Sequence, residues 1–280
     1  MTNNLLKITF NVFEYSVEQL EEIIYQIFET FQVCETLKIN KEKGKKFIQE
    51  IRKQYLTTIP YHNFYHAFEV FHSLSTFLYT SEKLKNNYTS EEKVALLIAA
   101  LCHDLKHPGG SNQKEIEKGS DLALLYNDQS VIENYSISQT FLLMKSNEEA
   151  NIFSEIEKEK QKKIRKWMIQ LILATDPEFH REQLQKIRKN KSLSFEHESH
   201  RLQVGILILM SSDLGYFTRT MEIQAKWMKN VCEELGFEYS ENNKSFVKNK
   251  ILPMYQLLVK TVPETKPCFK LFQQNFKFKL

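Results

Sequence analysis

Tyr61-His62-Asn63-Phe64-Tyr65-His66-Ala67 sets two histidines four residues apart. On a helix that spacing puts both imidazoles on one face. A second stretch answers it. Leu101-Cys102-His103-Asp104-Leu105-Lys106-His107-Pro108-Gly109 places a histidine beside an aspartate, with a third histidine one turn on. Five ligand-type residues therefore fall in two short segments, each beside an apolar run. A further aspartate, Asp213, closes the run Ile208-Leu209-Met210-Ser211-Ser212. Imidazoles and carboxylates together suit zinc, manganese, iron or magnesium. Any one of these histidines alone reads as a satisfied core or surface residue; the set reverses that reading. His66, His103, Asp104 and Asp213 are the candidate metal ligands. His62 and His107 are left for proton chemistry.

The pattern is the one HD metal hydrolases need, and the resemblance goes further. Tyr61-His62-Asn63-x-x-His66-Ala67 and His103-Asp104-x-x-His107-Pro108-Gly109-x-x-Asn112 resemble the signatures of class I 3′,5′-cyclic nucleotide phosphodiesterases. Leu122-Ala123-Leu124-Leu125-Tyr126-Asn127-Asp128-x-Ser130-Val131-Ile132-Glu133-Asn134 resembles that family's next helix pair. Ala174-Thr175-Asp176-x-x-x-His180 and Ser212-Asp213-Leu214 follow in family order, and Phe10-Asn11-Val12-Phe13-Glu14 resembles the opening of the catalytic domain. The likeness runs over about residues 10–260.

The resemblance implies an all-α, compact multi-helix bundle, with residues 1–280 as one catalytic domain and no separate regulatory domain. It implies two divalent metals, Zn2+ and Mg2+ (or Mn2+). His66, His103, Asp104 and Asp213 would hold the first metal, and Asp104 would bridge to the second. His62 would protonate the 3′ oxygen of a cyclic phosphate. His107, Glu133 and Thr175 would hydrogen-bond the second metal's water shell, and Tyr61 would line the phosphate side of the pocket. The chemistry is consistent. Paired metals neutralise phosphate oxygens and lower the pKa of water, and a histidine can donate the proton that the leaving oxygen needs near pH 7.

The base-recognition side departs from the family pattern. The family carries a glutamine three residues before a purine-stacking phenylalanine; here those positions are Asn243 and Phe246. Val231 would be the opposite jaw. Tyr216 stands where the family has asparagine, Asn134 and Tyr135 stand where it has paired histidines, and Lys106 and Lys114 are further departures. The segment from Trp227 to Asn243 is shorter than its family counterpart. These changes bear on affinity and on the choice between cAMP and cGMP more than on hydrolysis. Two rival readings follow from them: an HD phosphohydrolase acting on another phosphoester, and a catalytically impaired cyclic nucleotide-binding relative.

Composition agrees with a soluble globular chain. Of 280 residues 42% are hydrophobic and 26% charged, enough to bury a substantial core, and the net charge of +3 is too small to argue for nucleic acid. The four cysteines, Cys34, Cys102, Cys232 and Cys268, are scattered without a C-x-x-C, as buried thiols in a reducing compartment would be. The N-terminus lacks a basic segment followed by a long apolar run, and runs 94–102 and 204–210 fall far short of the ~20 residues a membrane span needs. A cytoplasmic protein without a membrane span is expected, with a homodimer left open.

Along the chain, Ser16-Val17-Glu18-Gln19 and Thr89-Ser90-Glu91-Glu92 read as capping boxes, and Asn40 as a helix cap. The histidine helix is expected over about 62–79, followed by a polar loop from 81 to 88. Buried helices are expected over 94–101 and 202–213, because both are apolar on nearly all sides. Residues 120–144 read as two helices and 148–174 as amphipathic helix, whose run Lys158-Glu159-Lys160-Gln161-Lys162-Lys163 reads as a solvated face. Residues 223–235 and 246–259 should wall the pocket, with a kink at Pro253.

Overall fold

The computed structural model describes residues 5–190, 193–238 and 245–276, and among them it holds helices and no strand. Three N-terminal helices come first: α1 (Val17–Thr30), α2 (Val33–Leu37) and α3 (Lys41–Gln54). The Ser16–Gln19 capping box and the Asn40 cap form as expected. Then follow α4 (Phe64–Thr80), α5 (Glu82–Asn87) and α6 (Ser90–Cys102). The expected polar loop at 81–88 is the helix α5, because Ser81 caps it through Leu84 N and Leu84 is buried beneath it.

Short helices α7 (Asn112–Glu117) and α8 (Asp121–Leu125) lead into α9 (Val131–Ser146) and α10 (Lys158–Leu173). Helix α11 (His180–Lys189) precedes α12 (Glu198–Asp213) and α13 (Met221–Leu235). A π-helical turn at Val247–Ile251 runs into α14 (Leu252–Thr261), and α15 (Lys266–Phe276) closes the described chain. Pro253 therefore sits in the first turn of α14, where its missing N–H costs little. The irregularity expected at this proline lies one turn earlier, in the π turn.

Helices α4, α6 and α12 form the centre. Helix α4 packs against both α6 and α12, and α10 lies along α6. Nearly every residue from Phe64 to Leu78, from Val94 to Cys102 and from Val204 to Ser212 is buried. At Gly205 of α12 an added Cβ would come within 3.1 Å of Leu96 on α6, so a glycine lets these two helices close on each other. A buried ion pair fixes their far ends. Glu92, whose side chain also completes the α6 capping box, takes two hydrogen bonds of 2.9 Å from Arg201 of α12. That bidentate geometry is the strong form of a carboxylate–guanidinium contact.

Candidate active site

The three central helices end at one place. His66 lies in the first turn of α4, His103 caps the C-terminus of α6 with Asp104 next in the turn, and Asp213 is the last residue of α12. Their four ligand atoms all lie within 4.8 Å of one another. His66 Nε2 is 3.0 Å from Asp213 Oδ1 and 3.4 Å from Asp104 Oδ2, and His103 Nε2 is 3.0 Å from Asp104 Oδ2 and 3.4 Å from Asp213 Oδ1.

Those spacings fit a metal. Ligand atoms about 2.1 Å from a common ion are about 3.0 Å apart at right angles and about 3.4 Å apart at tetrahedral angles. The hydrogen-bonding pattern points the same way. His103 Nδ1 donates to the carbonyl of Ala100 at 2.9 Å, which fixes the tautomer and turns Nε2 into the cluster. There His103 Nε2 and Asp104 Oδ2 are buried without a well-directed hydrogen bond. Orphaned polar atoms of this kind inside a protein call for a partner, and a cation supplies one for all four groups.

The electrostatics match. Burial opposes charge on Asp104 and Asp213, yet the neighbouring histidines hold both carboxyls well below the usual carboxylate range. Burial likewise opposes charge on His66 and His103, and the two aspartates outweigh it and raise both imidazoles. A metal would replace the protons that this cluster otherwise attracts.

Beside the cluster stands a second group: His62, His107 and Glu234. His62 is not on the histidine helix. Asn63 caps α4, accepting from Tyr65 N and His66 N, so His62 lies in the bend that leads into it. The shared-face argument for His62 and His66 therefore does not apply; their rings sit 5.8 Å apart and perpendicular for another reason. That reason is Glu234 on α13. Its Oε2 accepts the backbone N–H groups of Tyr61 and His62, both at 2.9 Å, and its Oε1 accepts from Gly110 N at 3.1 Å and from His62 Nδ1. Burial works against the Glu234 carboxylate, but the His62 contacts pull its pKa down to about 2. His62 is thus oriented with Nε2 as its available nitrogen.

His107 stacks on His62 with ring centroids 3.8 Å apart and planes 14° from parallel. Its Nδ1 accepts from Gly109 N at 3.0 Å, so the neutral ring carries its proton on Nε2. Burial, reinforced by the neighbouring His62, pushes its pKa down to about 3. His107 is held neutral, while His62 faces a carboxylate. Glycines 109 and 110 both have φ of +87°, the conformation that turns this loop back over the site.

Sequence reasoning named α13 as a pocket wall but missed Glu234. Nothing around Glu233-Glu234 separates it from an ordinary solvated acidic pair; only the long-range contact identifies it.

The remaining expected residues differ in their surroundings. Tyr61 is buried, its ring 4.3 Å from His66 and 4.7 Å from His62. Tyr216 is buried at 5.9 Å from Tyr61, in edge-to-face contact. Glu133, at the start of α9, accepts from Asn112 Nδ2 at 2.8 Å. Burial first, and then the charge of Asp176, raises its pKa to about 8. Thr175 is buried and donates to the carbonyl of Ile172 at 2.7 Å. Val231 is buried on α13, whereas Phe246 is 45% exposed just before the π turn. Asn243 lies outside the described residues.

This is a metal-capable cluster with a carboxylate-held histidine at its edge, carried on an all-helical scaffold. The family model of the 3′5′-cyclic nucleotide phosphodiesterases matches residues 61–244, and the chain belongs to that family. It is 35% identical over 228 residues to the 3′,5′-cyclic-nucleotide phosphodiesterase regA of Dictyostelium discoideum, a match covering 80% of this chain and 28% of the relative. It is 28% identical to the high affinity cAMP-specific and IBMX-insensitive 3′,5′-cyclic phosphodiesterase 8A of Mus musculus, over 93% of this chain and 34% of the relative. The chain thus spans about a third of these curated relatives. The crystal structure of the phosphodiesterase domain of the RhoPDE fusion protein from Salpingoeca rosetta superimposes with a TM-score of 0.89 at 26% identity, covering 98% of this chain and 93% of that one. No helix among the described residues is long and apolar enough to cross a membrane.

Proposed function

We propose that this chain hydrolyses the cyclic phosphodiester of 3′,5′-cyclic nucleotides, cAMP and/or cGMP, to 5′-nucleoside monophosphates, as one phosphodiesterase catalytic domain. The observation that carries the reading is the placement of the Glu234-held His62 beside the cluster of His66, His103, Asp104 and Asp213. That cluster would hold Zn2+, with Mg2+ or Mn2+ as the second ion shared through Asp104. When bound, the metals would neutralise the phosphate oxygens and lower the pKa of water.

The chain's own residues supply the rest. His62 gives its Nε2 proton to the 3′ oxygen as the P–O3′ bond breaks and a water oxygen bonds to phosphorus, and the proton that this water gives up returns through solvent to His62. The Glu234 carboxylate stabilises the imidazolium and holds the ring in place. His107, with its ring proton on Nε2, and Glu133 and Thr175 would offer hydrogen bonds to the waters of a second ion. Tyr61 and Tyr216 line the pocket, and Phe246 stacks on the purine with Val231 as the other jaw. The four cysteines, scattered without a C-x-x-C, suit a cytoplasmic site of action.

The test is turnover of cAMP and cGMP by purified protein with added zinc and magnesium, with the product identified by chromatography. 5′-AMP or 5′-GMP supports the reading. Inert cyclic nucleotides together with turnover of a nitrophenyl phosphodiester would transfer the same site to another phosphoester. The buried tyrosine at position 216 favours that second reading over the loss of catalysis.

A further inference from the structure

A groove of about 720 Å³ opens between α9 and α10, and none of the four metal-cluster residues lines it. Its floor is apolar, formed by Ile137, Phe141, Met144, Phe153 and Ile169. That volume falls in the range that admits several side chains or a small ligand. The apolar surface does not stop at the rim. Leu142 on α9 is 52% exposed, and Leu124 and Leu125 on the adjoining α8 are 70% and 65% exposed. Tyr126 ties α8 to the groove, its hydroxyl 2.8 Å from Ser138 Oγ. Three of the seven large exposed hydrophobic side chains among the described residues thus flank one groove, and clustered exposure of this kind marks an interaction site rather than chance.

The rim is cationic. Arg165 lies flat over the Phe141 ring at 3.7 Å and makes no ion pair among the described residues, nor does Lys145 across the groove. A guanidinium stacked in this way keeps its N–H edges free for a carboxylate. Groove-lining Gln161, Arg165 and Ile169 repeat every four residues along α10, and Lys158, Lys162 and Lys166 form the adjoining row. The other lysines of this run turn inward, Lys160 to Glu91 and Lys163 to Glu92. The nearby acids are also spent elsewhere: Glu148 faces Lys43, and Glu149 faces Lys46. The basic run is therefore only partly a solvated face: Lys162 pairs with Glu159 at 2.7 Å within it, while Arg165 and Lys145 border the apolar groove without an ion pair among the described residues.

We propose that this groove docks an acidic amphipathic helix of a protein partner. Apolar residues at i, i+3, i+4 and i+7 would fill the floor, and flanking carboxylates would meet Arg165 and Lys145. The concave floor suits inserted side chains better than a lipid surface, which needs apolar groups that protrude.

The experiment titrates the full chain into a fluorescein-labelled helical peptide with leucines at that spacing and glutamates on both flanks, and reads anisotropy. Saturable binding, weakened at least about tenfold in the double variant K145E/R165E, supports the proposal. Neither residue belongs to the catalytic machinery, so cyclic nucleotide turnover by that variant serves as the control for folding. Four results would each overturn it: no saturation by roughly millimolar protein; equal binding of a peptide with lysines in place of the glutamates; a dimer in sedimentation that L142E dissociates, which makes the groove a self-interface; or co-sedimentation with phosphatidylserine vesicles that K145E/R165E abolishes, which makes it a lipid site.

Discussion

The ring of His62 donates from Nδ1 to the carboxylate of Glu234, a residue 172 positions further along the chain. The same carboxylate accepts three backbone N–H groups, from Tyr61, His62 and Gly110. One side chain thus positions the ring, supports its charge and pins both loops that carry histidines. Glu234→Gln keeps an acceptor for the backbone but loses the charge. It is expected to lower kcat by roughly 10²-fold or more, the scale of a general acid's contribution, with KM little changed and a much smaller loss on a nitrophenyl phosphodiester, whose leaving group needs no proton. Equal losses on the two substrates would leave Glu234 a purely structural role.

His62→Ala should retain the metals and lower turnover of cyclic nucleotides by roughly 10²–10⁴-fold. A nitrophenyl phosphodiester, whose leaving group needs no proton, should lose much less. Equal losses on the two substrates would remove the acid role from His62.

The four-ligand cluster makes its own prediction. Asp213→Ala or His103→Ala should abolish bound zinc, read by elemental analysis, and hydrolysis with it. Metal affinity should also fall with pH, because His66 and His103 are raised in the metal-free cluster and must lose protons to bind. Affinity that stays constant between pH 8 and pH 6 would contradict that competition.

Much of this centre was legible in the sequence, and the reason is local. His66, His103 and Asp104 sit at helix ends, the last two announced by the Thr89 capping box and the apolar run 94–102, and the order and spacing of all three carry the geometry. Asp213 was readable because a helix as apolar as α12 can only be buried. Glu234 was not readable, since its role depends on a contact across the fold. The position of His62 was misread for a related reason. Asn63 is a better cap than a helix interior residue, and its capping bonds begin the helix one residue after it. The loop expected at 81–88 overlooked Ser81 as a cap. Lys106 shows the same limit: its φ of +59° and its 2.8 Å bond to Gln139 on α9 follow from the turn and its neighbour, not from residue type.

Glu133 gives a pH test of the metal-free protein. Its pKa is raised from 4.5 to about 8 by burial and by Asp176. Between those values the folded state binds a proton that the unfolded chain releases. Stability from this group is therefore fully present below about pH 4.5 and is lost as pH rises toward 8. Thermal melts in the presence of a chelator should show Tm declining over that window, and Glu133→Gln should flatten the decline. An unchanged slope in the variant would assign the pH dependence to other groups.

The last prediction concerns the pocket. Tyr216 is buried against Tyr61 and Phe217, with ring centroids 5.9 and 4.2 Å away, so a bulky aromatic fills volume where the family has a short amide. Phe246, by contrast, offers an open ring. Stacking on a phenylalanine is largely indifferent to base identity, whereas an amide reads the base edge. Phe246→Ala should therefore raise KM for cAMP and cGMP alike, by about tenfold for a loss in the range of 1–3 kcal/mol per stacked base. Tyr216→Asn should act differently. It opens space and restores a hydrogen-bonding group, so it should lower KM for one nucleotide more than for the other, by a factor of about five to ten if one neutral hydrogen bond is regained. It should also lower Tm, because the aromatic contacts with Tyr61 and Phe217 are lost. The measurement is KM and kcat for both nucleotides in the three proteins, with melting curves alongside. If Phe246→Ala changes neither KM while Tyr216→Asn shifts only Tm, the purine does not lie against these two residues, and the substrate is a phosphoester recognised through its phosphate alone.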